Sequence, residues 1–399
     1  MNLEIVSLNH TGEGIGRIDN KVIFIPKTIP GDIITVKDIK EYKNYSKGTL
    51  DKIITPSKDR ITPKCPFYDK CGGCDLQQLT YPKQLDYKKE KVKNILSKYA
   101  NINIDLNILL SPKEFGYRNK ITLQVNNGHL GLYQHNSNNL IEIDECLLVS
   151  SNINNLIKII KNKLDLSKLT NIMIREYNND LMIQFIGSID KELVIKELSN
   201  YIKIIYINDA LIYGDNNLEV KLGNYKYKVS PYSFFQVNYE TATILYNKVI
   251  EYLGTNNNKV LDLYCGTASI GIYISKYCKE ILGIEINPSS VSDAKENIKL
   301  NNLNNIKVIE GDVGKLLQSK EKYDAIIVDP PRSGLDKRTK ETLLKIKSNK
   351  LIYVSCDPIT LARDLNILKE IYEIKDIILV DMFPNTYHVE SVVWLSLKK

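Results

Sequence analysis

No stretch of this sequence approaches the roughly 20 consecutive apolar residues that a bilayer-spanning helix needs, so a membrane-spanning protein is not expected. The first residues, MNLEIVSLNHTGEG, lack both the basic start and the apolar centre of a secretory signal, which leads us to expect a cytoplasmic protein. There is no internal repeat and no long low-complexity tract, which argues against a solenoid or a disordered tail. The seven cysteines are an odd number, and in a reducing compartment they speak against a disulfide framework and for metal binding or catalysis.

What is present is ordinary for a globular chain, with 43% hydrophobic and 25% charged residues. At 399 residues the chain exceeds one compact core, so two or three domains are expected. The formal charge of +7 suits a polyanionic partner without demanding one. Between residues 77 and 120 nine Lys and Arg face four Asp and Glu, a local excess that reads first as a solvated basic helix face.

Residues 1–57 alternate in short apolar runs broken by Gly and Pro, the pattern of a small barrel. With GEGIG at 12–16 and FIPKTIPGD at 24–32, this stretch resembles the TRAM module, an OB-like RNA-binding barrel; a barrel without a ligand is the plain alternative. Next, CPFYDKCGGC at 65–74 puts three thiols within ten residues, with glycines that let the backbone fold tightly around a metal. Such a site needs a fourth ligand, and Cys146 in IEIDEC at 141–146 is the best remaining candidate. Spacing alone leaves zinc and an iron–sulfur cluster equally open.

Residues 79–99 carry apolar positions Leu85, Val92, Ile95 and Leu96 among lysines and are expected to be helical. From residue 58 to 229, strands (121–125, 171–175, 181–186) mix with helices (153–163, 191–200), which indicates an α+β central domain. A helix is expected over 239–253. From residue 259 onward strands and helices alternate, and about seven strands build a doubly wound, Rossmann-like α/β sheet over 230–399.

In that last domain DLYCGTASIG at 262–271 forms a glycine turn after the first strand, and Glu285 ends the second strand, where a carboxylate reaches ribose hydroxyls. The turn opens with an acid and lacks the close-set glycine pair that pyrophosphate requires, so S-adenosylmethionine is favoured over a dinucleotide. Asp312, after the third strand, can accept from the adenine amine or simply cap a helix. DPPRSG at 329–334 fixes the backbone at the pocket mouth. Arg332 stands where amine methyltransferases carry an aromatic residue, and this argues against amine methylation. In KLIYVSCDP at 350–358, Cys356 follows a buried strand at the edge where α/β sheets bind ligands; it is either a nucleophile or a packing thiol.

Taken together these motifs, with SPYSFFQVN at 230–238 and HVES at 388–391, resemble the S-adenosylmethionine-dependent RNA uracil-5-methyltransferases over nearly the full chain. The resemblance implies a [4Fe–4S] cluster on Cys65, Cys71, Cys74 and Cys146. It further implies cofactor contacts at Gln236, Tyr264, Glu285 and Asp329, with Cys356 as nucleophile and Glu390 as general base. Ala268 and Ser269 replace a frequent glycine and asparagine of the family; Ser269 is carried as the contact at its position.

The chemistry accounts for the Cys and Glu pair, since C5 of uracil is a poor nucleophile until a thiolate adds at C6. A base must then remove the C5 proton so that the thiolate can depart. Barrel plus cysteines looks like the branch acting on 23S rRNA, and a monomer is expected. Transfer RNA, a cytosine C5 target, and a catalytically inert RNA-binding or chaperone protein are the alternatives. Arg332 and residues 117–120 (YRNK) are candidate contacts to phosphates or base edges, or else ordinary paired cations.

Overall fold

The computed structural model describes residues 2–317 and 321–399, and among these no helix is long and apolar enough to cross a membrane. The N-terminal strands form a six-stranded sheet in which Leu3–Glu4 and Ser7–Leu8, adjacent in sequence, sit at opposite ends of the strand order. Residues 5 and 6 join those two ends, which curls the sheet into a barrel around Leu3, Ile5, Ile23, Ile25 and Ile34. Gly16 is required there because a Cβ would lie 2.8 Å from the Leu3 side chain.

The middle of the chain holds a seven-stranded, mostly antiparallel sheet centred on Lys120–Asn126, Leu169–Tyr177 and Asp180–Gly187. The apolar stripes of the helices Ser151–Lys163 and Lys191–Leu198 (Ile153, Leu156, Ile157 and Ile160; Val194 and Leu198) cover one face. This is the α+β arrangement expected from the mixed pattern.

The C-terminal sheet has eight strands, against the seven expected. Its order is Ile306–Glu310, Cys278–Glu285, Asn257–Leu263, Ala325–Val328, Lys350–Ser355, Glu390–Leu397, Tyr372–Val380 and Asn107–Leu109. The first five run parallel, and their near-continuous Val, Ile and Leu content reflects burial on both faces by two separate cores. Glu390–Leu397 runs antiparallel to both of its neighbours. The eighth strand, Asn107–Leu109, escaped the sequence reading because it is only three residues long and lies far away in the chain. Cys278 opens the second strand.

Two further segments join this body from the expected central region. The hairpin Leu218–Leu222 and Tyr225–Val229 packs Val220, Leu222 and Tyr227 into the catalytic core. The helix Tyr81–Ala100 lays Val92, Ile95 and Leu96 against the helix Pro358–Leu368. Its basic face is therefore not simply solvated. Lys88 is fully buried and Lys91 is 8% exposed.

Candidate active site

The strand Asn257–Leu263 ends in a turn that only unusual backbone can make: Tyr264, Gly266 and Ala268 all have positive φ, at 61°, 54° and 57°. Two buried carboxylates hold this turn. Asp262 Oδ2 accepts from the Gly271 amide at 3.1 Å, and Glu285 Oε2 accepts from the Gly266 amide at 3.0 Å. Glu285 Oε1 also accepts from the Asn287 amide at 2.8 Å. Asp262 Oδ1 is buried with no partner within the chain, an orphan acceptor at the cofactor end.

Burial pushes Asp262 up to about 7, aided by the charges of Asp329 and Glu285, and burial alone pushes Asp329 up to about 7. Glu390 is pushed up to about 8 by burial and by Asp329. Burial keeps all three carboxyls from ionising easily, and the charge of Asp329 adds to the effect at Asp262 and Glu390.

The remaining expected cofactor residues have other engagements as well. The Tyr264 hydroxyl lies 3.2 Å from Asp336 Oδ2 and 3.3 Å from Thr339 Oγ1, which turns its ring toward the helix Lys337–Ile346. Ser269 Oγ pairs with the Tyr246 hydroxyl at 2.9 Å. Asp312 caps the short helix Val313–Leu316, accepting from the Lys315 amide at 3.0 Å, which is the simpler of the two roles expected for it. The Gln236 carbonyl accepts from Asn119 Nδ2 at 3.1 Å, and this fastens the 230–238 loop to the central sheet. Arg175, buried, donates to the carbonyls of Ser230 and Ser233 at 3.0 Å each, holding the same loop from beneath.

Cys356 and Glu390 meet at the carboxyl edge. The antiparallel ladder ends with Ser355 paired to Ser391, so Cys356 leaves one strand where Glu390 enters the other, and the Glu390 charge acts on the thiol. Asp357 then caps the helix Pro358–Leu368, accepting from the Ile359 and Thr360 amides at 2.9 and 3.0 Å. Burial, with the charges of Glu390 and Asp329, raises the Cys356 thiol to about 12, while Arg332 opposes the rise.

A cavity of about 60 Å³ is lined by Cys356, Arg332, Tyr387, His388 and Lys91. Through Arg332, Tyr387 and His388 it meets a groove of about 560 Å³, walled by Arg118, His135, Phe234 and Gln236. Phe234 is 71% exposed there. His388 is pushed down to about 3 by burial and by Arg332, so it is a neutral ring.

The loop between Val380 and Glu390 is gripped by one face of the helix Tyr81–Ala100. Lys88 Nζ pairs with Asp381 Oδ1 at 2.5 Å and donates to the Phe383 carbonyl at 3.0 Å, and Lys91 Nζ donates to the Tyr387 carbonyl. Gln84 exchanges two bonds with Asn385, at 3.2 and 2.8 Å. The sequence reading passed over Lys88 and Lys91. The available signal was that Lys88 lies three residues from Leu85 and four from Val92, on the apolar stripe. Of the YRNK stretch, the Tyr117 hydroxyl donates to the Pro384 carbonyl at 3.0 Å, and only Arg118 lines the groove.

Cys65, Cys71, Cys74 and Cys146 line one small apolar cavity of about 30 Å³, with Phe67, Tyr68 and Leu148 around them. As the side chains stand, no group of three or more His, Cys, Asp or Glu among the described residues could hold a metal ion. Burial raises the thiols of Cys65, Cys74 and Cys146, so without a metal they are protonated. Four thiols from two distant segments of the chain thus share one cavity. Cys265 and Cys278 are both buried.

A profile of the family described as tRNA (Uracil-5-)-methyltransferase matches residues 194–322 and 313–398, and one of the TRAM domain matches residues 1–50. An uncharacterized RNA methyltransferase of Clostridium tetani is 35% identical, with 99% of this chain and 96% of that protein covered. One of Staphylococcus aureus is 34% identical, covering 99% and 97%. A crystal structure of Pyrococcus abyssi tRNA (uracil-54, C5)-methyltransferase in complex with S-adenosyl-L-homocysteine superposes with a TM-score of 0.82. It is 29% identical and covers 99% of this chain and 100% of that one.

Proposed function

This chain belongs to the tRNA (uracil-5-)-methyltransferase family, and on that footing we propose that it methylates C5 of a uridine in structured RNA through a transient Cys356–C6 adduct. It is an S-adenosylmethionine-dependent RNA methyltransferase. The adduct reading is supported by the ladder that ends at Ser355 and Ser391, which leaves a thiol and a carboxyl next in line at the carboxyl edge of the sheet.

In this reading the Cys356 thiolate bonds to C6, and the C5–C6 π pair moves onto the neighbouring carbonyl. C5 then takes the methyl group from the sulfonium, releasing S-adenosylhomocysteine. Glu390 removes the C5 proton, the C5–C6 double bond re-forms and the sulfur leaves. Asp262, Glu285 and Asp329 are the acids that we assign to the cofactor, with Gln236, Tyr264, Ser269 and Asp312 around it.

For the RNA we propose 23S rRNA, which the combination of barrel and cysteine set suggests, and a monomeric enzyme. Transfer RNA is the second reading. It draws support from the Pyrococcus abyssi tRNA enzyme, whose likeness extends over the barrel as well. Mass-spectrometric mapping of RNA from a strain lacking the gene decides. Loss of 5-methyluridine from 23S rRNA is expected. Loss confined to tRNA selects the second reading, and loss of 5-methylcytidine overturns the uracil assignment.

We also propose that Cys65, Cys71, Cys74 and Cys146 hold a [4Fe–4S] cluster, supported by their shared, water-poor cavity. Bound there, it would tie the 65–78 loop to the central sheet.

A further inference from the structure

The helix Tyr81–Ala100 sends one charged group into the wall of the Cys356 cavity that the proposed chemistry leaves without a role. Lys91 is 8% exposed, and one of its three N–H donors goes to the Tyr387 carbonyl. We propose that Lys91 is a further catalytic residue, its ammonium donating to the uracil carbonyl oxygen that collects charge when the Cys356 sulfur adds to C6. The inference rests on the C5-methylation reading above.

The addition step needs such a donor. When the S–C6 bond forms, the π electrons of C5–C6 pass through C4 to its oxygen, and the enolate so made is stabilised by a hydrogen bond from a cation. As C5 takes the methyl group the enolate pair becomes the new C–C bond and the carbonyl re-forms; when Glu390 then removes the C5 proton, charge reaches the same oxygen again until the C5–C6 double bond forms and the sulfur leaves, so Lys91 ends unchanged. Two cations border the cavity, Lys91 and Arg332. Arg332 is exposed at the turn that follows Asp329, where water weakens its field, whereas Lys91 is shielded. A donor fixed in a dry site needs little rearrangement as charge develops and acts more strongly than one in water. Burial and the nearby Lys88 charge push Lys91 down to about 7, so the donating ammonium is half populated at that pH and predominates below it.

The test uses full-length protein, S-adenosylmethionine, and 23S rRNA and tRNA transcripts in which 5-fluorouridine replaces uridine. The fluorine at C5 stops the reaction at the methylated covalent complex, so the rate of complex formation reports addition and methyl transfer together. Lys91→Met is expected to slow that rate roughly a hundredfold, the usual loss for one donor of this kind. S-adenosylhomocysteine affinity and RNA retention should stay within about twofold, because neither needs this donor. Lys91→Arg, which keeps charge and donors, should recover most of the rate. An unchanged rate in Lys91→Met overturns the proposal. So does an equal defect in Lys91→Met and Lys91→Arg accompanied by lost cofactor affinity, since that marks Lys91 as a structural prop for residue 387. If Lys91→Met fails to fold, Lys91→Gln replaces it under the same criteria. A wild-type protein that forms no covalent complex overturns the adduct reading itself, a result distinct from both.

Discussion

Lys88 Nζ lies 2.5 Å from Asp381 Oδ1 with both side chains fully sealed from solvent, joining the helix that precedes the catalytic sheet to the loop that ends in Glu390. A buried pair like this is costly to break from one side, because the remaining charge has no water to turn to. Lys88→Met is expected to destabilise the protein by about 3–5 kcal/mol in urea unfolding. Adding Asp381→Asn should restore part of that loss. If the single variant matched the wild type, the pair could not be what anchors the loop.

Cys356 and Glu390 divide the proposed reaction between them, so their variants should fail differently. Cys356→Ala should abolish both methyl transfer and covalent capture by 5-fluorouridine RNA. Glu390→Gln should still form the adduct with ordinary RNA but release it roughly 10²–10⁴-fold more slowly, leaving a methylated protein–RNA complex visible on denaturing gels. A Glu390→Gln enzyme that turned over normally would remove Glu390 from the role of base.

The acid cluster predicts a pH dependence. Asp262 and Asp329 are raised to about 7 and Glu390 to about 8, so the folded protein holds these protons more tightly than the unfolded chain does. The stability they contribute is complete at acidic pH, below their unfolded values, and is lost as pH climbs through 7 and 8. The cofactor-free melting temperature should therefore fall from about pH 4 to about pH 8 and level off above it. S-adenosylmethionine should offset that fall more than S-adenosylhomocysteine, which lacks the sulfonium charge. Equal protection by the two ligands at the higher pH would contradict the idea that a cation relieves this cluster.

The cysteine set makes its own prediction. Protein purified without oxygen should be brown and carry iron and sulfide, and each of Cys65→Ala, Cys71→Ala, Cys74→Ala and Cys146→Ala should lose the colour. Because Lys27 of the barrel donates to the Cys71 and Cys74 carbonyls, loss of the metal should also raise hydrogen exchange at the barrel face around residue 27. A colourless, zinc-loaded native preparation would replace the cluster with zinc.

The chain order alone was enough to reveal the barrel, the mixed centre and the parallel sheet, because period-two and period-3.6 patterning and Gly and Pro punctuation are local properties. It also offered candidates for reactive chemistry, since a thiol after a buried strand and an acid at the start of the last strand are visible in a line of letters. What only the folded chain decided is who meets whom. Glu390 reaches the end of the sheet where Cys356 lies because its strand runs antiparallel, and Cys146 joined the other three thiols across more than seventy residues of chain. Lys88 and Lys91 looked like solvent-facing charges until Asp381 and the Tyr387 carbonyl, almost three hundred residues away, closed over them. Pairings of that kind depend on long-range register and burial, which no local pattern encodes.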